Sequence, residues 1–324
     1  MSNQLDLDGL QRLLWNFAAH RVITVASRTG ILNILADRPA TPEEVATELG
    51  LDPPATGKMI RALCAQGLVE ADGDSYRLAA AIRPHFRGDD DDFGPFLEHL
   101  HSMYERWGES LEPWLRGQPW STAPRTLEET KRFGAAMKAI GGQMARRAAQ
   151  ALDLNGVRTM LDVGGGWGQF AKALCAANPG LEATVLDIPR VAEQAPASIA
   201  GTEFEGRISW IGGDYHETDY GSGYDLVLLA NILHQEHAPK AAEIIRRATT
   251  ALAPGGRVVV VDFAIDDAKQ EHLLGALFAI NMRSFGDTYS EPELRSWMED
   301  AGLVDTERID LGPDRWIMIG HKES

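Results

Sequence analysis

A chain of 324 residues with 44% hydrophobic content is long enough for about two globular domains. Its formal charge of −16 repels nucleic-acid phosphates and anionic membrane surfaces, so no nucleic acid and no membrane is expected as a partner. Cys64 and Cys175 read as buried thiols of a reducing cytoplasm; no basic-then-apolar signal is visible and no apolar run approaches the ~20 residues that span a bilayer, so a cytoplasmic location is expected.

Residues 9–36 read as helix, with Leu10, Leu13, Leu14, Phe17, Val22, Val25, Ile31 and Leu35 at roughly helical spacing. The stretch is too apolar for a lone surface helix, so part of it is expected to pack on another chain or domain. In "TPEEVATELG" Thr41 reads as a helix cap, Pro42 as the first helical residue, Glu44 as the return half of a capping box and Gly50 as the stop. Asp52 caps a second helix that ends at Gly67, and "LVEADGDSYRL" reads as two strands around Asp72-Gly73. Helix, turn, helix and hairpin make a winged helix. DNA binding is its obvious use, but a DNA grip needs several cations aimed at phosphates. Here Lys58 and Arg61 stand among Glu43, Glu44, Glu48, Asp52, Glu70, Asp72 and Asp74.

"GDDDD" at 88–92 reads as a solvated loop. Residues 96–115 read as one or two helices, and 132–152 as another. Trp107, Trp114 and Trp120 serve either core packing or the wall of an aromatic pocket. From residue 158 the runs "TMLDV", "ATVLD", "ISWIG", "YDLVLLA" and "RVVVVDF" alternate with helical segments, the texture of a parallel sheet buried on both faces. "LVDTERIDL" and "RWIMIGH" around Gly312-Pro313-Asp314 form a closing hairpin. The fold class is therefore α/β, a mostly parallel Rossmann-like sheet with an antiparallel C-terminal hairpin, preceded by a mainly helical winged-helix region.

"LDVGGGWGQF", residues 161–170, lies between the first of those strands and a helix expected near Trp167, where an open parallel sheet binds its ligands. The dinucleotide fingerprint G-x-G-x-x-G fails at Gln169; the pattern is D-x-G-x-G-x-G from Asp162 to Gly168. Taken alone, it leaves a hydride-transfer enzyme open. Asp187 ends the second strand, where an acid can accept from two ribose hydroxyls. Asp214 follows the third, where a carboxylate can accept from an adenine amino group while Tyr215 covers the base.

Together with "LAPGG" at 252–256, these features resemble the class I methyltransferases that use S-adenosylmethionine and release S-adenosylhomocysteine. Across nearly the whole chain, the order of winged helix, helical middle and sheet domain is similar to the small-molecule O-methyltransferases related to caffeic acid O-methyltransferase and the bacterial polyketide methyltransferases. The resemblance implies a division into a dimerisation domain (1–90), a helical acceptor-pocket segment (91–155) and a cofactor-binding catalytic domain (156–324). It implies a homodimer, a small aromatic acceptor with a phenolic or enolic hydroxyl, and no metal. Cofactor contacts would come from Gly164, Asp187, Ile188, Asp214 and Tyr215, with Asp162, Gly166 and Gly213 on the same loops. An acid at the glycine loop suits the ammonium of that cofactor.

His234 in "LLANILHQEHAPK" stands where this family carries its catalytic base, in a motif usually read His-Asp-Trp. Gln235 replaces the aspartate. Plant members support the base with two glutamates. By count from the histidine the first maps to Asp262, and the second falls near Thr288, where no carboxylate stands. His234, Glu236 and His237 invite a metal reading, but they lack helical zinc spacing and an obvious further ligand. Trp107, Phe133, Met137, Phe278 and Met282 are the candidate acceptor contacts, with core packing as the competing role of each.

Overall fold

The structure, a computed structural model, describes residues 6–88, 92–118, 126–269, 272–282 and 286–324. Trp120 and Asp89 to Asp91 of the acidic run lie outside the described residues. The chain divides into two compact units. One holds the described residues up to Gly117 together with 126–140; the other holds Gln118 and those from Gly141 onward.

In the first unit the single helix expected over 9–36 is three: α1 (Leu7–Leu14), α2 (Asn16–Arg28) and α3 (Ile31–Asp37). The second break falls at Gly30, whose left-handed φ of 87° ends a right-handed helix at no steric cost. Ala26, Leu32 and Leu35 are fully buried, whereas α1 buries no residue. α4 (Pro42–Leu49) begins with the Thr41–Glu44 capping box and Pro42 and stops at left-handed Gly50, as its sequence predicts. Asp52 caps α5 (Pro53–Ala65) by accepting from the Ala55 amide at 2.9 Å. The hairpin of β1 (Val69–Asp72) and β2 (Ser75–Leu78) follows. Residues 94–115 form one helix, α6 (Gly94–Leu115), with Pro113 in its last turn. α7 (Leu127–Ala151) starts before the expected residue 132 and contributes residues to both units.

The second unit is built on seven strands. These are β3 (Thr159–Val163), β4 (Glu182–Asp187), β5 (Ile208–Gly212), β6 (Tyr224–Ala230), β7 (Leu252–Phe263), β8 (Leu303–Asp310) and β9 (Arg315–Lys322). Their order is β5-β4-β3-β6-β7-β9-β8. The first five are parallel, and β9 runs antiparallel to both β7 and β8. Strand residues alternate between two cores. Met160, Leu226 and Leu228 enter one cluster, and Leu161, Val163, Val227 and Leu229 enter the other. Burial on both faces is why the central strands β3, β6 and β7 read as apolar runs, whereas β5, expected to be buried likewise, is an edge strand with Ile211 40% exposed. α8 (Gln169–Ala177), α9 (Pro189–Gln194), α10 (Ala238–Ala251), α11 (Leu273–Asn281) and α12 (Glu291–Asp300) complete the unit. α8 begins two residues after Trp167 because Gly168, its preceding residue, is left-handed (φ 72°). Cys175 is buried, whereas Cys64 is only half-buried. Among the described residues no helix is long and apolar enough to cross a membrane.

Candidate active site

The glycine loop leaves the carboxyl end of β3. Gly164 has φ 67°, and a Cβ there would lie 2.6 Å from the Ile232 side chain, which belongs to the turn after β6. A Cβ on Gly165 would lie 2.4 Å from the Asp162 carboxyl group. At Gly164 and Gly165 neighbouring groups already fill the space of a side chain, whereas at Gly166 the space is open and the positive φ of 57° is what favours glycine. Asp162 itself is fully buried, and neither carboxylate oxygen has a hydrogen-bond partner among the described residues. Burial first, and the charge of Asp187 second, push its pKa up to about 7; the nearby Ala171 amide relieves this only in part. A buried acid with no partner is a costly arrangement that a bound cation would relieve.

Asp187 at the end of β4 accepts from the Gly166 amide (2.8 Å) and from the Ile188 amide (2.8 Å), one on each oxygen. Burial raises its pKa despite these bonds. Each oxygen keeps a lone pair for a further donor. Ile188 is 44% exposed, an unusual position for a large apolar side chain beside this loop. Gly213 donates to the Asp187 carbonyl at 2.9 Å and has no room for a Cβ, which would lie 2.0 Å from the Thr218 hydroxyl. Asp214 accepts from the His216 amide (2.8 Å). The Tyr215 hydroxyl donates to Glu236 at 2.6 Å. Asp162, Gly164, Gly166, Asp187, Ile188, Gly213, Asp214 and Tyr215 thus stand at or just past the carboxyl ends of three adjacent parallel strands.

His234 follows β6, the strand on the other side of β3. Its Nδ1 lies 2.6 Å from Asp262 Oδ1, and both side chains are buried. Burial alone would raise the Asp262 pKa. The adjacent His234, the Arg315 charge and the Phe263 amide outweigh it and hold the carboxyl below its ordinary range. An ionised carboxylate only accepts, so Nδ1 carries a proton, and in the neutral ring Nε2 is then the acceptor. The imidazole stands edge-on to Phe263 (5.4 Å) and Phe278 (4.9 Å), whose rings stack at 3.8 Å. The structure therefore brings Phe278 to His234. Met282 is half-buried just beyond α11. Trp107, Phe133 and Met137 are half-buried in the first unit, where Phe133 meets the His99 ring edge-on at 5.6 Å. Thr288 is buried, and its hydroxyl points to the Gly275 carbonyl (3.4 Å).

Three residues of the site carry no sequence signal of their own. Arg315 on β9 donates to the Asn231 side chain (2.7 Å) and lies over the Phe263 ring at 3.2 Å. Burial lowers its pKa to about 10 against the pull of Asp262. Asn231 holds a positive φ of 56° at the start of the His234 turn. Glu236 binds Tyr215 and His216 through its side chain. Among the described residues no group of three His, Cys, Asp or Glu side chains could hold a metal ion.

Residues 103–304 match the O-methyltransferase domain model, and residues 10–83 match the O-methyltransferase dimerisation domain. The chain belongs to the O-methyltransferase family. It is 30% identical to the 3-hydroxy-5-methyl-1-naphthoate 3-O-methyltransferase of Streptomyces sahachiroi, over 89% of this chain and 87% of that protein. It is 29% identical to the N,N-dimethyltransferase OxyT of Streptomyces rimosus, over 92% and 91% of the two chains. Its fold is that of human N-acetylserotonin methyltransferase, solved with S-adenosylmethionine, at a TM-score of 0.86, 22% identity and full coverage of both chains. Membership removes the hydride-transfer reading and makes S-adenosylmethionine the cofactor of this methyltransferase. The residues present fit it: the unpartnered Asp162 carboxylate suits an ammonium, and the Asp187 lone pairs suit hydroxyl donors.

Proposed function

We propose that this methyltransferase acts as a homodimer in the cytoplasm and methylates a phenolic or enolic hydroxyl of an aromatic secondary metabolite. The observation that carries the reading is the buried His234–Asp262 pair beside the glycine loop. Asp162 would hold the cofactor's ammonium, Asp187 its ribose and Asp214 with Tyr215 its adenine, with Gly164, Gly166, Ile188 and Gly213 shaping the surface. When bound, the cofactor supplies a methyl group on a sulfonium, with a good leaving group already attached. The chain then has to hold the acceptor oxygen in line and accept its proton. His234 Nε2 takes that proton; Asp262 keeps the ring oriented and balances the imidazolium. Phe278, edge-on to the His234 ring, is the acceptor contact with geometric support, and Met282 lies just beyond the same helix. For Trp107, Phe133 and Met137 the support is their sequence pattern alone. The division into 1–90, 91–155 and 156–324 is proposed as the division of labour between dimerisation, acceptor and cofactor.

The relative named for a naphthoate hydroxyl supports an aromatic oxygen acceptor, and OxyT, named for methylation at nitrogen, motivates a parallel amine assay. Labelled methyl transfer to hydroxynaphthoates and to matched arylamines decides between them; transfer to amines alone overturns the oxygen reading. His234→Ala should slow transfer to a neutral phenol by about 10²–10⁴, the usual worth of a positioned base. The loss should shrink for acceptors already ionised at the assay pH. A near-normal rate on a neutral phenol would show that proximity suffices.

A further inference from the structure

In the family's His-Asp-Trp motif the position two residues after the histidine is a tryptophan; here it is Glu236. The structure shows a definite use for that acid. Its side chain is 11% exposed, and one oxygen, Oε1, accepts both from the Tyr215 hydroxyl (2.6 Å) and from His216 Nε2 (3.0 Å). Both donors sit on the loop after β5, the loop assigned to the adenine end of the cofactor. The backbone of Glu236 is held separately, because its carbonyl accepts from the Tyr289 hydroxyl. The Tyr215 carbonyl is likewise pinned, by the Tyr220 hydroxyl (2.9 Å) and by Arg247. With the main chain fixed on both sides, the freedom left at Tyr215 is the rotation of its ring. The Glu236 carboxylate is what removes it.

We propose that Glu236 is a positioning residue that latches Tyr215 and His216, setting the Tyr215 ring in the orientation that covers the adenine. The proposal rests on the cofactor placement given under the proposed function. A ring held by a charge-assisted bond at its far end is ordered before the ligand arrives, so less conformational freedom is lost on binding. Burial, and next the Glu236 carboxylate, push the Tyr215 phenol above its ordinary range, so it stays a donor at any working pH. Because Tyr289 holds the Glu236 backbone and Asp262 holds His234, losing the carboxylate should leave the catalytic turn in place.

The latch therefore predicts a split between binding and turnover. Glu236→Ala and Tyr215→Phe should each weaken S-adenosylmethionine binding by about tenfold, and adenosine binding by the same factor, measured by calorimetry. The double variant should lose less than the product of the two single losses, because both remove the Tyr215–Glu236 bond and only Glu236→Ala also frees His216. Glu236→Gln, whose amide oxygen still accepts from the phenol, should stay within about threefold of the parent. It also keeps the test open should the alanine variant fail to fold. The rate at saturating cofactor should change less than the KM for cofactor. Normal affinity in Glu236→Ala and Tyr215→Phe, losses that multiply in the double variant, or a fall in rate with unchanged KM would each overturn the latch. Asp187→Ala separates this from a failure of the underlying placement. If Asp187→Ala binds like the parent, the cofactor lies elsewhere and the latch falls with it; if it binds weakly while the Glu236 variants bind normally, the latch alone is wrong.

Discussion

Asp162 and Asp262 are both buried carboxylates, and their opposite environments give them opposite pH behaviour. Asp162 titrates at about 7 in the fold, against 3.8 for a free side chain. The folded chain therefore holds a proton that the unfolded chain has already released. The stabilising effect is complete at low pH and is lost as pH rises through about 7, with roughly 4 kcal/mol at stake over that interval. Cofactor-free protein should melt at lower temperature at pH 8 than at pH 5.5, and Asp162→Asn should flatten that slope in thermal unfolding. An ammonium placed at this acid favours its ionised form. Cofactor affinity should then rise from pH 6 to 8, with a proton released on binding that calorimetry in buffers of different ionisation enthalpy would detect. Asp262 has the reverse sign. Its lowered pKa keeps it charged at every assay pH, and the stability it adds is lost only as pH falls through that lowered value. Asp262→Asn should slow transfer by less than the about 10²–10⁴ of losing the base itself, since it orients the ring without carrying the substrate's proton. A larger loss in stopped-time methylation assays would mean that Asp262 does more than orient. Asp162, Asp187 and Asp214 are candidates legible in the chain because each stands at or just past a strand end, whereas His234 and Asp262 came from the resemblance. Glu236, Asn231 and Arg315 were legible in neither way. Glu236 meets Tyr215 across 21 residues and Arg315 meets Asn231 across 84, spacings that follow from no local rule.

Elements with chemical end signals obey them. The Thr41 capping box joins two backbone donors to two side chains at 3.2 and 2.8 Å. Thr41→Ala should cost about 1 kcal/mol, seen as a lowered midpoint in urea with an unchanged slope. Periodicity alone joins α1, α2 and α3 into one helix because an apolar spacing persists across Trp15, which carries no end signal, and across Gly30, whose stop that spacing masks. Gly286 makes a further test at this scale. A Cβ there would lie 1.8 Å from the His234 carbonyl oxygen. Gly286→Ala should displace the turn that carries His234, the proposed base. Turnover should fall by at least about tenfold while cofactor affinity holds, because the loops proposed to hold the cofactor leave other strands. Equal loss of both in kinetic and calorimetric titrations would show that the site does not divide this way.

The whole molecule presents a surface that one chain leaves bare. Leu7, Leu13, Leu14, Trp15 and Phe17 are between 48% and 69% exposed on α1 and the start of α2. The stretch overlaps the dimerisation domain at 10–83, and a patch of this kind marks a partner surface. Removing all of 9–36 would be a poor test, since it deletes the buried Leu32 and Leu35 and with them part of the first unit's core. Leu14→Glu with Trp15→Glu leaves that core alone. The parent should sediment as a dimer at micromolar concentration, and the double variant should dissociate at about 100-fold or more higher concentration. A monomeric parent would refute the homodimer.

The sequence by itself determined the local architecture. Caps, turn glycines and the change from helical spacing to apolar runs depend on contacts within a few residues, so they placed the winged helix, the parallel strands, the closing hairpin and the glycine loop. Resemblance across the whole chain added the cofactor and the two residues of the dyad. Only the tertiary structure decided what each side chain faces. Asp162 is unpartnered because β3 is covered on both sides and its loop neighbour has no side chain. Glu236 serves Tyr215 rather than a metal because β5 and β6, though not adjacent, send their loops to the same end of the sheet. Burial, pairing and the resulting pKa values are set by segments distant in sequence, and no local pattern encodes them.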